Sequence, residues 1–331
     1  MGKIVQHVVR TVVMLSLSTA VLLPSIAGAA FPDRNITLIV AFSPGGGYDS
    51  IARAIGRSMQ KSLPKGVNVI VKNVTGAGGV RGHVAVYRAK PNGYTIGHLQ
   101  AAGMMGLQIL RGGPKKVGYD MNKITWLAQV GNDPFAVIVS KKGPFKTLKE
   151  LQQAKRVRWG TTGIGAGRWF AEYFAAQTFG INFAVVAGYG GTGEELPALI
   201  RGDFDAWAQP IDHPSVVPYL KDDLLPIVQL DKKRATNAPD TPTAEQLGYD
   251  FVFADVRSIG GPPGIPADRA KILQDLLLKA MNDKDYKAFL AKASLKLVPG
   301  PGSEVKQAMK YYEDLYKKYR EPMLKTIAGE K

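Results

Sequence analysis

Short apolar runs that end in glycine-rich turns and lead into stretches of helical period recur through this chain. That alternation restricts it to an α/β architecture. Residues 36–40 form one such run, and residues 49–63 follow with Ile51, Ala54, Ile55 and Met59 at helical spacing. A second run at 67–71 precedes Gly76-Ala77-Gly78-Gly79 and a helix through Ala89, and residues 94–99 repeat the strand pattern. Further strands are expected at 136–140, 156–160, 183–186, 225–230 and 251–256, with helices between most of them. Strands joined in this way build mainly parallel sheets with helices on both faces. At 331 residues there is room for about two domains. The Pro-Gly stretches at 131–134 and 260–266 are the expected points of crossing, so that 131–255 forms one lobe and 31–130 with 256–331 the other. Near the C-terminus, Val305, Met309, Tyr312, Leu315, Tyr316 and Tyr319 recur at three- and four-residue steps, which predicts a helix with an apolar packing face.

Residues 1–30 read as a cleavable export signal rather than as part of the fold. Lys3 and Arg10 precede an apolar stretch over 12–23, and the small residues Ala27-Gly28-Ala29 follow, with cleavage expected between Ala29 and Phe31. The apolar run is short of the ~20 residues that span a bilayer. The chain is therefore expected in a periplasm, where nucleotide cofactors are scarce. It has no cysteine, which excludes disulfides, thiolate metal sites and a cysteine nucleophile. Its 43 Lys+Arg against 27 Asp+Glu give +16, and removing the two positive charges of the signal leaves +14. The basic residues are dispersed without interleaved aromatics, so nucleic acid is not the expected partner. A positive field that steers small anions is.

Three glycine-rich turns carry the functional signal. Ser43-Pro44-Gly45-Gly46-Gly47-Tyr48-Asp49 joins a strand to a helix. Glycines let the backbone approach a ligand, and amides at a helix start form an anion site without Lys or Arg; Asp49 fits the helix N-cap. The second turn runs from Gly160 through Thr161, Thr162, Gly163, Ile164, Gly165, Ala166 and Gly167 to Arg168, again between strand and helix. Its two hydroxyls, amides and guanidinium suit a carboxylate. The third, Gly188-Tyr189-Gly190-Gly191-Thr192-Gly193, matches G-x-G-x-x-G, but Glu194 and Glu195 stand where a pyrophosphate needs positive potential. Those carboxylates complement the helix dipole instead.

Catalytic constellations are missing: there is no G-x-S-x-G elbow, no H-E-x-x-H pair and no glycine loop closed by Lys-Ser/Thr. His83, His98 and His213 are too scattered to predict a metal site and read as structural. Asp203, Asp205 and Asp212 read as residues around a turn rather than as a carboxylate cluster.

The run from Phe42 through Ser43-Pro44-Gly45-Gly46-Gly47-Tyr48-Asp49 to Ala52-Arg53 resembles the first loop and helix of the extracytoplasmic solute receptors of tripartite tricarboxylate transporters, the Bug-type receptors. Asn73 with Gly76-Ala77-Gly78-Gly79, and Pro91-Asn92-Gly93-Tyr94-Thr95, are similar to the family's next signatures. Gly188-Tyr189-Gly190-Gly191, Gly202-Asp203-Phe204-Asp205 and Pro242-Thr243 with Gly248 follow in the family's order. The resemblance implies a two-lobed periplasmic binding protein of the type II, Venus flytrap class, which closes on a small carboxylate and delivers it to membrane permease subunits. It departs from the family at Ala166, Gly167 and Arg168, where Ser and His are common, at Gln209, where an acid is frequent, and at Gln246, where Glu is usual. The expected ligand-binding set is Ser43, Pro44, Gly45, Gly46, Gly47, Tyr48, Asp49, Gln100, Thr161, Thr162, Gly163, Gly165, Arg168, Gly190 and Gln209. The expected ligand is a dicarboxylate or related organic acid, bound by a monomer with no metal and no cofactor. A ligand-sensing partner of a receptor kinase and an exported hydrolase or lyase of small acids are the alternatives.

Overall fold

The computed structural model describes residues 31–213 and 216–329. The expected export signal at 1–30 lies outside the described residues. The first part of the chain builds β1 (Ile36–Val40), α1 (Gly47–Gln60), β2 (Val69–Asn73), α2 (Val80–Tyr87), β3 (Thr95–Gln100), α3 (Ala101–Leu110) and α4 (Pro114–Val117). A long strand, β4 (Thr125–Ser140), then leads into α5 (Leu148–Gln153), β5 (Val157–Thr161), α6 (Gly167–Phe179), β6 (Phe183–Ala187), α7 (Thr192–Arg201), β7 (Ala206–Pro210) and β8 (Leu224–Gln229). The chain returns through β9 (Ala254–Gly261), α8 (Ala267–Asn282), α9 (Lys284–Lys292), β10 (Gly300–Pro301) and α10 (Gly302–Gly329).

The strand order is β2-β1-β3-β9-β4-β7-β5-β6, with β10 and β8 also paired to β4. Two parallel cores, β2-β1-β3 and β6-β5-β7, carry the strand–helix units expected from the apolar runs. The sheet as a whole is mixed rather than mainly parallel, because β9, β4, β8 and β10 join antiparallel. These are the strands by which the chain passes between the two halves. Thr125–Pro134 of β4 pairs with β9, and from Phe135 onward the same strand pairs with β7 and β8.

The stretch at 131–134 is thus not a loop but extended chain within β4, kinked by register shifts near Trp126 and Gln129. Bulges of this kind bend a strand and strengthen its twist. The stretch at 260–266 turns the chain from β9 into α8, while β9 meets β4 at Ala254 opposite Pro134. The residues at 251–253, expected to begin a strand, precede β9 without joining it. Conversely β7, unforeseen, follows the Gly202-Asp203-Phe204-Asp205 turn.

The apolar stripe of α10 packs as expected, with Val305, Met309, Tyr312 and Tyr316 buried. Its core is shared by both halves: Tyr316 lies 4.8 Å from Phe170 of α6, and Tyr312 lies 5.3 Å from Phe253. The Tyr312 hydroxyl also accepts from the amide of Ala254 at 2.9 Å and donates to its carbonyl at 3.0 Å. One helix therefore braces the strand by which the chain returns. Among the described residues no helix is long and apolar enough to cross a membrane.

Candidate functional site

The first glycine turn sits at the C-terminal end of β1, with Ser43 to Gly46 exposed and Tyr48 and Asp49 buried. Gly45 takes φ +80°, a conformation open to glycine at little cost, and so aims the chain into α1. Gly46, not Asp49, is the N-cap, and no side chain caps the helix. Asp49 instead is the third residue of the helix and accepts from the Gly45 amide at 2.9 Å. It also pairs with Arg53 at 2.9 Å and accepts from Asn73 at 2.9 Å. Burial disfavours its charge, yet these donors hold its carboxyl below the usual carboxylate range. Asp49 is thus the brace of the loop. With the Gly45 amide engaged, the donors left at this helix start are first-turn groups such as Gly47 and Tyr48, which have no intrahelical acceptor.

Beneath the turn lies a buried polar network that the sequence reading missed. Tyr48 donates its hydroxyl to Asp255 at 2.8 Å, and the Arg257 guanidinium stacks 4.5 Å from the Tyr48 ring. Arg257 pairs with Asp133 at 2.8 Å and with Asp255 at 3.4 Å. Asp133 and Asp255 stand opposite each other in the β4–β9 ladder, and Asp255 and Arg257 share a face at i, i+2. Burial and the neighbouring Asp133 carboxylate raise the Asp255 carboxyl, with Arg257 opposing. Despite its burial, Arg257 is held charged by the two carboxylates.

Two histidines read as structural also face this network. His98 donates from Nδ1 to the Tyr48 carbonyl at 3.0 Å, which fixes its tautomer. His213 Nε2 lies 3.0 Å from where a Cβ on Gly47 would sit. Burial, then the positive charges of Arg257 and Arg168, push His213 down to about 3, and burial with Arg257 does the same to His98. Both are neutral at physiological pH. Among the described residues no His, Asp and Glu side chains group as a metal site.

The second turn opens α6, again with a backbone-only N-cap, at Ala166. Thr161 is fully buried beside Glu172, whereas Thr162 and Gly163 are half-buried at the rim. Arg168 does not reach out from the turn. It forms an ion pair with buried Glu195, donates to the Thr192 hydroxyl at 3.1 Å, and stacks 5.2 Å from the Trp207 ring. Gln209 donates to the same hydroxyl at 3.2 Å. Arg168 and Gln209 thereby tie the second turn to the third. In the third turn the Gly190 amide donates to Glu194 at 2.7 Å, so its anion position is filled by the chain's own carboxylate. The aspartates expected around a turn are separate: Asp203 pairs with Arg201, Asp205 with Arg158, and Asp212 accepts from Asn237. Gln246 accepts from the Thr243 amide and fixes the Pro242-Thr243 turn.

The second turn packs against the first part of the chain at two points. Gln100, at the end of β3, lies against Gly167 so closely that a Cβ there would be 2.3 Å from its Oε1. Gly78 approaches Ala166 in the same way, at 4.0 Å from its Cβ position. The positive charges of Arg257 and Arg168 both act on His213.

A mixed sheet in two halves, flanked by helices and linked by crossing strands, is the periplasmic-binding-protein-like α/β fold. The chain belongs to the tripartite tricarboxylate transporter family of receptors, whose TctC family model matches residues 51–328. It is 27% identical to the BugT protein of Bordetella pertussis, over 88% of this chain and 90% of the relative. Among solved structures, the periplasmic binding protein BugD superposes with a TM-score of 0.74 at 21% identity, covering 88% of this chain and 98% of BugD. MatC from Rhodopseudomonas palustris with bound malate superposes with a TM-score of 0.73 at 25% identity, covering 86% of this chain and all of MatC. Family and fold neighbours are thus solute-binding receptors.

Proposed function

We propose that this protein is a periplasmic receptor that closes two lobes on a small carboxylate, a dicarboxylate or related organic acid, and delivers it to the permease subunits of a tripartite transporter. What supports the reading is a pair of helix starts without a side-chain cap, α1 and α6, the first of them beside the buried side chains of His213 and Arg257. Helix starts and guanidinia both favour anions, and a ligand charged at each end engages both lobes at once. The malate held by MatC, at 25% identity, supports the ligand class.

In this reading residues 31–130 with 256–331 form one lobe and 131–255 the other. One carboxylate meets Ser43 to Tyr48, and the far end meets Thr162, Gly163 and Gly165. Gln100, which touches Gly167, reports closure to both lobes. Asp49, Thr161, Arg168, Gly190 and Gln209 shape the walls from the contacts described above. A thermal-shift screen of small mono- and dicarboxylates tests the proposal, because a ligand at 100 times its Kd adds roughly 2.7 kcal/mol to folding stability. A panel of C3 to C6 carboxylates that leaves the melting temperature unchanged at millimolar concentration overturns it.

A further inference from the structure

Resting on the carboxylate-receptor reading, we infer that Arg257 is the charged anchor for one ligand carboxylate, which it takes on Nη1 at the start of α1, and that Asp133 and Asp255 are its positioning residues. Arg257 is 3% exposed, and its Nη1 is buried without a hydrogen-bond partner among the described residues. Leaving a buried charged donor unmatched is costly, and native structures seldom do so without a use for it. The other edge of the guanidinium is committed: Nε donates to Asp133 at 2.9 Å, and Nη2 lies 2.8 Å from Asp133 and 3.4 Å from Asp255. Stacking on the Tyr48 ring fixes its plane, so Nη1 cannot swing away to another acceptor.

The free edge lies beside the helix start, with Nη1 4.0 Å and His213 Nε2 3.0 Å from where a Cβ on Gly47 would sit. Gly47 is the first residue of a 14-residue helix with no side-chain cap, so the positive helix end lies close by. Asp49 cannot serve as the missing acceptor, because its oxygens are engaged by Gly45, Arg53 and Asn73. A ligand carboxylate fits the vacated role: one oxygen on Arg257 Nη1, the other on the α1 amides. Because Asp133 and Asp255 already offset the guanidinium, this end suits a singly charged carboxylate over a doubly charged phosphate.

The test takes the tightest binder among malate, succinate, glutarate and tartrate and titrates it calorimetrically into wild type, Arg257→Lys and Asp133→Asn. Lysine keeps a charge for the acid pair but has no second nitrogen to offer the ligand. The expected result is an Arg257→Lys protein that melts near wild type yet binds ten- to a hundredfold more weakly. Asp133→Asn is expected to weaken binding less, by misplacing the anchor. A purely structural arginine predicts that any loss falls on the melting temperature and none on affinity, and an unchanged Kd overturns the inference. A crystal structure of the wild-type complex decides the matter without any variant: a carboxylate oxygen within 3.2 Å of Nη1 upholds the anchor, and one beyond about 4 Å refutes it. In that second case the carboxylate-receptor reading survives, whereas failure of every carboxylate to bind overturns both.

Discussion

At the scale of single residues, the site separates side chains that could touch a ligand from those that hold the walls. Arg168 belongs to the walls as much as to the cleft, because Glu195 is wholly buried and depends on it for charge compensation. Removing one member of a buried ion pair strands the other, at about 3–5 kcal/mol. Arg168→Ala is therefore expected to lower unfolding free energy in urea by that order as well as to weaken ligand binding. Arg168→Ala with Glu195→Gln should recover much of the stability and little of the affinity. His213 yields a pH prediction. Its folded-state value near 3 lies below the ordinary 6.5, so the unfolded chain takes up the proton first and stability falls as pH drops below 6.5. Between pH 7 and pH 5 one such histidine removes about 2 kcal/mol. The raised carboxyls of Asp255 and Asp212 titrate in the opposite sense and blur the total. The difference between wild type and His213→Gln isolates the effect: the variant should lose about 2 kcal/mol less over that interval, measured by chemical denaturation at each pH.

At the scale of elements, the crossing strands and α10 decide how the halves are joined. Tyr312 spends its hydroxyl on both the amide and the carbonyl of Ala254, where β9 begins. Tyr312→Phe keeps the ring packing against Phe253 and leaves two buried backbone groups unmatched, so a loss of about 1–3 kcal/mol is expected in denaturant titration. No loss would mean that α10 holds the crossing by packing alone. The elements were largely legible in the sequence where an apolar run ended at a glycine, as in β1, β5 and β6. They were illegible where tertiary pairing overrode the pattern. Gly131 and Pro134 look like a loop in isolation and become strand because β9 pairs across them. Ala206–Pro210 is short and rich in alanine, and it becomes a strand through its ladder with β4. The anion-binding turns were visible, since glycine spacing is a local signal. The Arg257 network was not, because its partner Asp133 is 124 residues away and each residue alone reads as one charge in an apolar strand. The i, i+2 spacing of Asp255 and Arg257 was the one sequence signal that could have revealed it.

At the scale of the whole molecule, charge is arranged in two layers. The two buried guanidinia described above each have a carboxylate, Arg257 with Asp133 and Asp255 and Arg168 with Glu195, so they contribute little net field at a distance. The excess lies outside them, in exposed lysines such as Lys115, Lys116, Lys232 and Lys233. Without residues 1–30 the chain carries +14, and a field of that sign raises the encounter rate of small anions. The two layers predict different salt responses for the two rate constants. Exposed charges are screened over about 10 Å at 0.1 M salt, whereas contacts sealed between closed lobes are screened far less. Stopped-flow measurements between 10 mM and 500 mM salt should therefore show the association rate constant for a carboxylate falling severalfold while the dissociation rate constant barely moves. An association rate constant independent of salt would leave the surface charge without a part in capture. A dissociation rate constant that rose instead would place the decisive charges within reach of solvent, and so would mean that the cleft stays open around its ligand.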